Sequence, residues 1–172
     1  MKPEIPAHAL NPSLHWRPLA QLRAPAAVMP WLHDRGSLTH RLQALGQFRV
    51  APQSQRIARP RAEEARLLDL PPRQYALIRE VLLLVDDQPL VFARSVLPLA
   101  SISRQNRVLG HMATHSLGAE LFKIPRAVRE QVWGARVQLA PALAAEPCWG
   151  RQSRFRQRGK RLLGRAIVVV SM

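Results

Sequence analysis

Arg79 and Arg94 each lie in the middle of an apolar run, where a charged side chain has few ways to be satisfied. The runs span residues 76–85 and 90–97, and the polar sequence Asp86-Asp-Gln-Pro89 separates them. A guanidinium stays protonated, so among apolar neighbours it needs an anion or another hydrogen-bonding group as its partner. The two arginines are therefore candidates for binding an anionic ligand.

Two strand-like runs around a short polar turn predict a β-hairpin, and its register decides whether the arginines meet. With Asp87-Gln88 as the loop, Arg79 faces Val96. Arg94 then faces Val81, and the two arginines become diagonal neighbours on one face of the sheet. This register predicts an anion pocket that both arginines serve, whereas a slip of one residue separates them. The alternative is that each arginine pairs with a buried carboxylate or extends to water at a sheet edge.

Other residues with chemical potential form no recognisable catalytic or metal-binding motif. His111 and His115 would share a helix face, but Met112 follows His111 where a metalloprotease helix has glutamate, so we expect a surface pair and no metal site. Cys148 is expected to be a buried structural thiol. The Ser-Leu-Gly turn at residues 116–118 lacks a nucleophile-elbow pattern, and we expect it to direct backbone N–H groups at a carboxylate or phenolic oxygen. The 11 carboxylates form no local acid–base pair, which argues against a hydrolase or a metalloenzyme.

The length and composition predict one globular domain. The chain has 172 residues, of which 47% are hydrophobic, as in ordinary folded proteins. Its longest apolar stretches, residues 81–85 and 166–170, are far too short to cross a bilayer. The N-terminus has no apolar segment of the signal-peptide type, and a single cysteine provides no intrachain disulfide. We therefore expect a cytoplasmic protein without a transmembrane segment.

The charge is strongly basic, because 26 Lys and Arg residues against 11 Asp and Glu residues give +15. Such a field attracts nucleic acid, anionic lipid or an acidic metabolite. The basic residues are scattered, except for a concentration between residues 151 and 165 that we interpret as the solvated face of a hairpin. Only 5% of the residues are aromatic, which is too few to form a surface on which nucleic-acid bases could stack. We expect no nucleic-acid partner, and a basic RNA- or membrane-associated protein is kept as an alternative.

The order of the expected elements predicts the fold class. Proline and alanine dominate residues 1–28, which predicts an N-terminal arm with little regular structure, followed by one domain over residues 29–172. Ser37 is a favourable N-cap for a helix over residues 38–45. The other expected elements are a mixed segment over 47–59, a short helix over 61–70, two short helices around the Ser-Leu-Gly turn within 101–123, a strand or helix tail over 133–139, and a second hairpin with strands over 149–155 and 162–170. Two hairpins with flanking helices predict an α+β domain whose antiparallel sheet carries helices on one side.

Several segments carry a family pattern when they are taken in order from about Trp16 to Leu163. They are Trp31-Leu32, Gly36-Ser-Leu-Thr-His-Arg-Leu42, Tyr75, Leu77-Ile-Arg-Glu-Val-Leu-Leu83, Asp87-Gln-Pro89, Ala93-Arg-Ser-Val-Leu-Pro98, Leu109-Gly110, Ser116-Leu-Gly118, Leu121-Phe122, Trp149-Gly-Arg-Gln-Ser153 and Gly159. No single motif is diagnostic, but the ordered set resembles the chorismate pyruvate-lyase family. Its members release pyruvate from chorismate to give 4-hydroxybenzoate, the first step towards the ubiquinone ring.

The resemblance implies both a fold and a site. It implies a single α+β domain in which helical flaps cover a ligand pocket enclosed on an antiparallel sheet, with no metal and no cofactor. By similarity, Arg79 is the catalytic residue that grips the ring carboxylate, a bidentate task that suits arginine. Leu38 and Leu117 fall where flap backbone groups contact the ligand, and Arg94 matches a second arginine of the same hairpin. The implied ligands are chorismate and 4-hydroxybenzoate, and a monomer is expected.

The C-terminus departs from the family pattern. Counting from Gly159, the last strand of the family carries a glutamate at the position of Ala166, which cannot accept a hydrogen bond. Three explanations compete: another carboxylate substitutes, the activity is reduced or lost, or a shifted reading frame has altered the C-terminus. Because Arg165 and Ala166 are adjacent in a strand, they are expected to face opposite sides. The alternative function is a non-catalytic binding domain for an aromatic or acidic metabolite.

Overall fold

The computed structural model describes residues 15–102, 116–117, 126–138 and 146–168. These residues form one antiparallel sheet with the strand order β1-β5-β6-β7-β4-β3-β2. The strands are β1 (Arg17–Pro18), β2 (Phe48–Ala58), β3 (Ala76–Val85), β4 (Gln88–Pro98), β5 (Val128–Val137), β6 (Cys148–Gln157) and β7 (Lys160–Val168). The described α-helices are α1 (Met29–His33), α2 (Leu38–Gln43), α3 (Ala62–Leu67) and α4 (Leu99–Ile102), and a 3-10 turn covers Leu19–Gln21. The predicted α+β class with an antiparallel sheet is confirmed.

The central hairpin, β3 and β4, forms as predicted, but its register differs from the expected one. The turn is Asp86-Asp87, with φ angles of 49° and 62°. Aspartate tolerates this left-handed region, and two such residues in a two-residue loop match the right-handed twist of the strands. The predicted loop at Asp87-Gln88 is therefore wrong by one residue.

A bulge in β4 then decides which residues of the hairpin share a face. Leu84 pairs with Pro89 whereas Leu83 pairs with Val91, so Leu90 is an extra residue on β4. The Asp86-Asp87 turn alone would place Arg94 directly opposite Arg79. The extra residue shifts the pairing by one, so Arg79 pairs with Ser95 and Arg94 pairs with Glu80. Because side chains alternate between the faces of a sheet, this shift puts Arg79 and Arg94 on different faces.

The second hairpin, β6 and β7, is confirmed, with Arg158-Gly159 as its turn. The segment expected to be a strand or a helix tail is the strand β5. The mixed segment after residue 46 is the long edge strand β2, which a register shift between Pro52 and Ser54 interrupts. Proline removes a backbone donor, so it is tolerated at such an edge. The part of the predicted N-terminal arm that the structure describes includes β1, which pairs with β5.

The helices cover both faces of the sheet, so the expectation of helices on one side is wrong. We call the face of β3 that carries Arg79, Val81 and Leu83 the pocket face, and the other the opposite face. Leu42 of α2 packs against Val81 and Leu83 on the pocket face. Leu68, just after α3, packs in a core cluster with Ala76, Val96 and Leu163. Both faces of the sheet carry apolar residues, and each must be removed from water.

Local sequence signals explain where two of the helices begin. The Ser37 hydroxyl accepts a hydrogen bond from the His40 backbone N–H at 3.4 Å, as expected of the N-cap of α2. The helix α3 is shorter than the predicted span 61–70, and the Glu64 carboxylate accepts from the Arg61 backbone N–H at its start. The two helices expected around the Ser-Leu-Gly turn, together with His111 and His115, lie outside the described residues.

Cys148 is buried, as expected, in a core cluster with Leu82, Leu84 and Phe92. Burial raises the pKa of its thiol.

Within the described ranges, no helix is long and apolar enough to span a bilayer.

Candidate functional site

A cavity of about 80 Å³ lies on the pocket face. Small residues form its floor in two rows that run across the strands: Ser95 pairs with Gly164, and Ala93 pairs with Ala166. Gly164 in turn pairs with Ser153, and Ala166 pairs with Arg151. The remaining lining residues are Leu38, Thr39, Arg79, Val81, Leu83, Ser116, Leu117, Arg129, Phe155 and Arg165. The small side chains of the floor leave space above the centre of the sheet.

Arg79 lies on β3 at one side of this floor, opposite Ser95. Its side chain is 3% exposed and lines the cavity. Removal from water lowers the pKa of its guanidinium, because burial disfavours the charged form. The structure thus places this predicted residue, itself buried, at the cavity, where a partly desolvated cation interacts strongly with an anionic ligand.

Leu38 and Leu117 cover the same cavity from two separate parts of the chain. Leu38 is the first residue of α2, which we call the first flap, and Leu117 belongs to residues 116–117, which we call the second flap. The hydroxyls of Thr39 and Ser116 lie 2.6 Å apart in a buried hydrogen bond between the two flaps. Arg79, Leu38 and Leu117, the three residues chosen from the sequence, therefore line one cavity.

Arg94 is the exception, because it lies on the opposite face. Its Nε donates to Glu64 Oε1 at 2.8 Å, its Nη2 donates to Glu64 Oε2 at 3.1 Å, and its Nη1 donates to Glu80 Oε1 at 2.6 Å. The prediction that Arg94 shares a pocket with Arg79 is wrong, since the β4 bulge turns the two side chains to different faces. The alternative, pairing with buried carboxylates, describes Arg94.

The carboxylates around Arg94 are held in their charged form. Burial by itself raises the pKa of Glu64, but the hydrogen bonds and charge of Arg94, with the charge of Arg165, outweigh it, so the net pKa is lowered. The pKa of Glu80 is lowered in the same way, with burial opposed by hydrogen bonds from Ser54 and Arg94. These groups form a buried ion network beneath the floor of the pocket.

Arg165 joins that network, and Ala166 faces the pocket. The Arg165 guanidinium donates to Glu63 Oε1 at 2.7 Å and to Gln152, and it lies 3.0 Å from Glu64 Oε1. Ala166 lines the cavity between its strand partners Ala93 and Arg151. The two neighbours therefore face opposite sides of β7, as predicted.

Arg129 and Arg151 are the residues that sequence reasoning missed. Both line the cavity on the side away from Arg79, and Arg151 is 7% exposed. The interpretation of residues 151–165 as a solvated basic face is wrong for Arg151 and for Arg165, which are both buried. Arg151, Ser153 and Phe155 are spaced two apart, so they share one face of the strand. This spacing, with the apolar Phe155, was the signal that could have found Arg151.

The two arginines hold the backbone that leads into the first flap. Arg151 Nη1 donates to the carbonyls of Trp31, Leu32 and Asp34 at 3.2, 3.4 and 2.6 Å. Arg129 Nη1 donates to the Asp34 carbonyl at 3.0 Å. Burial, followed by the nearby charge of Arg129, lowers the pKa of Arg151 to about 10.

The electrostatics of the cavity suit an anion. Arg79, Arg129, Arg151 and Arg165 are among its lining residues, but the Arg165 guanidinium belongs to the ion network on the opposite face. No aspartate or glutamate lines the cavity in the part of the chain that the structure describes. Among the described residues, no group of His, Cys, Asp and Glu side chains is placed to hold a metal ion. A small anionic molecule held by arginines and flap residues is the ligand class that fits this arrangement.

Comparison with known protein families shows which family the chain belongs to. The model of the family described as chorismate lyase matches residues 10–170 of the chain. The chain belongs to the chorismate lyase family. This chorismate lyase family member is 52% identical over 159 residues to a probable chorismate pyruvate-lyase of Alcanivorax borkumensis, with 92% of this chain and 76% of that protein covered. It is 35% identical over 158 residues to the chorismate pyruvate-lyase of Serratia proteamaculans, with 90% and 85% covered.

Solved structures show the same fold at low sequence identity. A gene product of Staphylococcus aureus aligns with a TM-score of 0.60 and 17% identity, over 78% of this chain and 88% of that one. The ligand-binding domain of a putative GntR-family transcriptional regulator from Bordetella bronchiseptica aligns with a TM-score of 0.55 and 20% identity, over 72% and 84%. At such identities the likeness concerns the fold alone.

The predictions of the family, the fold class and a lyase are confirmed, and the non-catalytic alternative is not favoured.

Proposed function

We propose that this chorismate lyase family member removes pyruvate from chorismate to give 4-hydroxybenzoate in the cavity on the pocket face. The observation that carries the proposal is the buried Arg79 in an arginine-lined cavity of a chain that matches this family over residues 10–170. Several relatives are named as chorismate pyruvate-lyases.

Arg79 binds the ring carboxylate in this proposal. Its planar guanidinium can donate two parallel hydrogen bonds to a carboxylate, which fixes the orientation of the ring as well as its position. Backbone groups at Leu38 and Leu117 contact the ligand from above, and their position at the cavity supports this assignment. The flaps exclude water, which strengthens the interaction between Arg79 and the anion.

The release of pyruvate from chorismate needs little help from acid–base side chains. Chorismate carries a non-aromatic ring, and the reaction makes it aromatic. The bond between the ring carbon and the ether oxygen breaks with its electron pair on the oxygen, which gives the enolate of pyruvate, and the ring loses a proton as it becomes aromatic. The enolate takes up one proton, so the products are 4-hydroxybenzoate and pyruvate. The protein positions the substrate and stabilises the charge that moves onto the leaving group, and buried cations do this with little reorganisation. No metal or cofactor enters this scheme.

The setting of the activity is part of the same proposal. Residues 29–172 act as one domain that follows an arm over residues 1–28, and the protein works as a monomer in the cytoplasm. The product, 4-hydroxybenzoate, enters the synthesis of the ubiquinone ring. The described ranges contain no helix that could cross a membrane, which is compatible with this setting.

A chorismate assay on the purified protein tests the proposal, with 4-hydroxybenzoate followed by absorbance and chromatography. We expect product from the wild type and a large loss of it in Arg79→Ala, with partial recovery in Arg79→Lys. Arg49→Ala is the control, because Arg49 is exposed and pairs with Asp87 at the far end of β3. Its activity is expected to equal that of the wild type.

Ala166→Glu is assayed in parallel, because the family resemblance places a glutamate there. Equal product from the wild type and the variant would show that the pocket works without this carboxylate. Product from the variant alone would show that the pocket is a lyase site whose turnover the alanine removed. A wild type that yields no 4-hydroxybenzoate would overturn the proposed reaction for this chain, and the absence of a thermal shift on adding 4-hydroxybenzoate would in addition overturn the pocket as its binding site.

A further inference from the structure

Arg129 and Arg151 form a second cationic position in the cavity, separate from Arg79. Arg129 lies on β5 and Arg151 lies on β6, whereas Arg79 lies on β3. In the strand order, β4 and β7 separate β3 from β6. Three strand spacings put the backbones of Arg79 and Arg151 about 14 Å apart across the sheet. The floor of Ala93, Ser95, Gly164 and Ala166 lies between them.

The two arginines of this second position are bonded to neutral groups. Their hydrogen bonds within the described residues go to the backbone carbonyls of Trp31, Leu32 and Asp34. The charge of the Asp34 carboxylate reaches both arginines, but its hydrogen bonds come from the Gly36 N–H at 2.8 Å and from Arg41 at 3.2 Å, so one carboxylate faces several cations. The pair therefore keeps an excess of positive charge in a partly desolvated place.

One donor of the pair has no partner at all among the described residues. Arg129 Nε is buried and makes no hydrogen bond. The Arg129 guanidinium also lies over the Phe155 ring, 5.2 Å from its centroid, and this contact holds it at the cavity wall. A buried unpaired donor on a cation is costly, and an anionic acceptor in the cavity would remove that cost.

We infer that Arg129 and Arg151 form a second carboxylate subsite, which takes the side-chain carboxylate of the substrate while Arg79 holds the ring carboxylate. This inference rests on the proposed function. It makes the cavity selective for dicarboxylates, in which a ring carries one carboxylate and a short arm carries the other. The product 4-hydroxybenzoate has a single carboxylate and uses the Arg79 side alone.

The subsite also has a consequence for the first flap. Arg129 and Arg151 both hold the Asp34 carbonyl, a few residues before α2 and Leu38 begin. A second carboxylate in the subsite draws the two guanidinium groups together and lowers their mutual repulsion. The substrate therefore stabilises the segment that leads into the flap, whereas the monocarboxylate product does not.

The test compares matched ligands on matched variants. The ligands are 3-(carboxymethoxy)benzoate, an unreactive dicarboxylate with an ether arm, and 3-methoxybenzoate, which lacks the second carboxylate. The variants are Arg129→Gln and Arg151→Gln. The control is Arg154→Gln, because Arg154 lies on the same strand β6, forms an ion pair with Glu130 and donates to the Leu67 carbonyl. Dissociation constants are measured by calorimetry, with circular dichroism and melting to confirm the fold.

We expect the wild type to bind the dicarboxylate more tightly than the monocarboxylate. Arg129→Gln and Arg151→Gln should weaken dicarboxylate binding by about 10- to 100-fold and change monocarboxylate binding by less than about threefold. Arg154→Gln should change neither. Arg129 is half-buried and Arg151 fully buried, so Arg129→Gln keeps the test valid if Arg151→Gln does not fold.

Equal losses for both ligands in Arg129→Gln, or no loss for either, would overturn the subsite. The result is independent of catalysis, because neither ligand reacts. A wild type that yields no 4-hydroxybenzoate but still prefers the dicarboxylate would therefore refute the proposed reaction and leave the subsite standing. A wild type that makes product but shows no dicarboxylate preference would refute the subsite and leave the proposed reaction standing.

Discussion

The Thr39 hydroxyl lies 2.6 Å from the Ser116 hydroxyl, although 77 positions separate the two residues in the chain. Both side chains are buried, and both residues line the cavity. This hydrogen bond is a direct link between the first flap, α2, and the second flap at residues 116–117. Since Leu38 and Leu117 both line the cavity beside this bond, we expect the bond to slow the departure of a ligand bound there.

Thr39→Val tests this link by replacing the hydroxyl with a methyl group of similar volume. Loss of a buried hydrogen bond costs about 1 kcal/mol, which corresponds to a several-fold change in rate. We expect 4-hydroxybenzoate to dissociate about fivefold faster, as measured by stopped-flow displacement. Thr39→Ser is the control, because it keeps the hydroxyl. An unchanged dissociation rate in Thr39→Val would show that the flaps separate without breaking this bond.

Gly164→Ala tests the floor of the cavity. A Cβ atom at this position would meet Phe155 Cε2 at 3.6 Å and Leu117 Cδ2 at 3.7 Å, which are ordinary contact distances. The strand should accept the alanine and gain about 0.5–1 kcal/mol, because glycine weakens a strand. The methyl group occupies ligand space, so affinity for 4-hydroxybenzoate should fall about tenfold. A raised melting temperature with weaker binding is the expected pair of results, and unchanged affinity would place the ligand elsewhere.

Glu64→Gln tests the ion network on the opposite face through its pH dependence. The folded-state pKa of Glu64 lies below its unfolded value of 4.5. A lowered carboxyl pKa contributes stability that is present above the unfolded pKa and is lost as the pH falls through the folded pKa. The wild type should therefore lose free energy of unfolding below about pH 4.5, and the variant should show a flatter profile. At pH 7 the variant should be less stable by about 3–5 kcal/mol, because Arg94 and Arg165 lose a buried partner.

Urea unfolding at several pH values measures both effects of Glu64→Gln. Glu146→Gln is the matched control, because Glu146 is exposed. Its stability at pH 7 should stay within about 0.5 kcal/mol of the wild type. Parallel pH profiles for Glu64→Gln and the wild type would contradict a lowered pKa at this position.

Arg94→Gln separates the roles of the two hairpin arginines. Arg94 bonds to Glu64 and Glu80, so its replacement removes the buried cation that both carboxylates share. We expect a loss of about 3–5 kcal/mol in the free energy of unfolding, with the affinity of the folded protein for 4-hydroxybenzoate unchanged. Arg79→Gln should do the opposite and weaken binding more than it weakens the fold. Calorimetry below the melting temperature, with urea unfolding, distinguishes the two variants. Weakened binding in Arg94→Gln would place Arg94 in the ligand site after all.

Local signals were enough to predict several parts of this protein. The alternating and apolar runs predicted both hairpins, because a strand presents its side chains with a period of two. Ser37 predicted the start of α2, because its hydroxyl caps a backbone donor three residues on. Arg79 stood out as a site candidate because a permanent charge in an apolar strand needs a partner. The ordered segments led to the correct family.

The sequence by itself thus determined the two hairpins, the start of α2, the family and the presence of Arg79 in an apolar strand, since these depend on neighbours along the chain. Only the tertiary structure decided which arginines face the cavity. The extra residue Leu90 in β4 sends Arg94 to the opposite face, where Glu64, 30 positions away, neutralises it. The same three-dimensional pairing brings Arg129 and Arg151 to the pocket. Because side chains alternate at every residue, one bulge exchanges the two faces, and no local pattern reports where it lies.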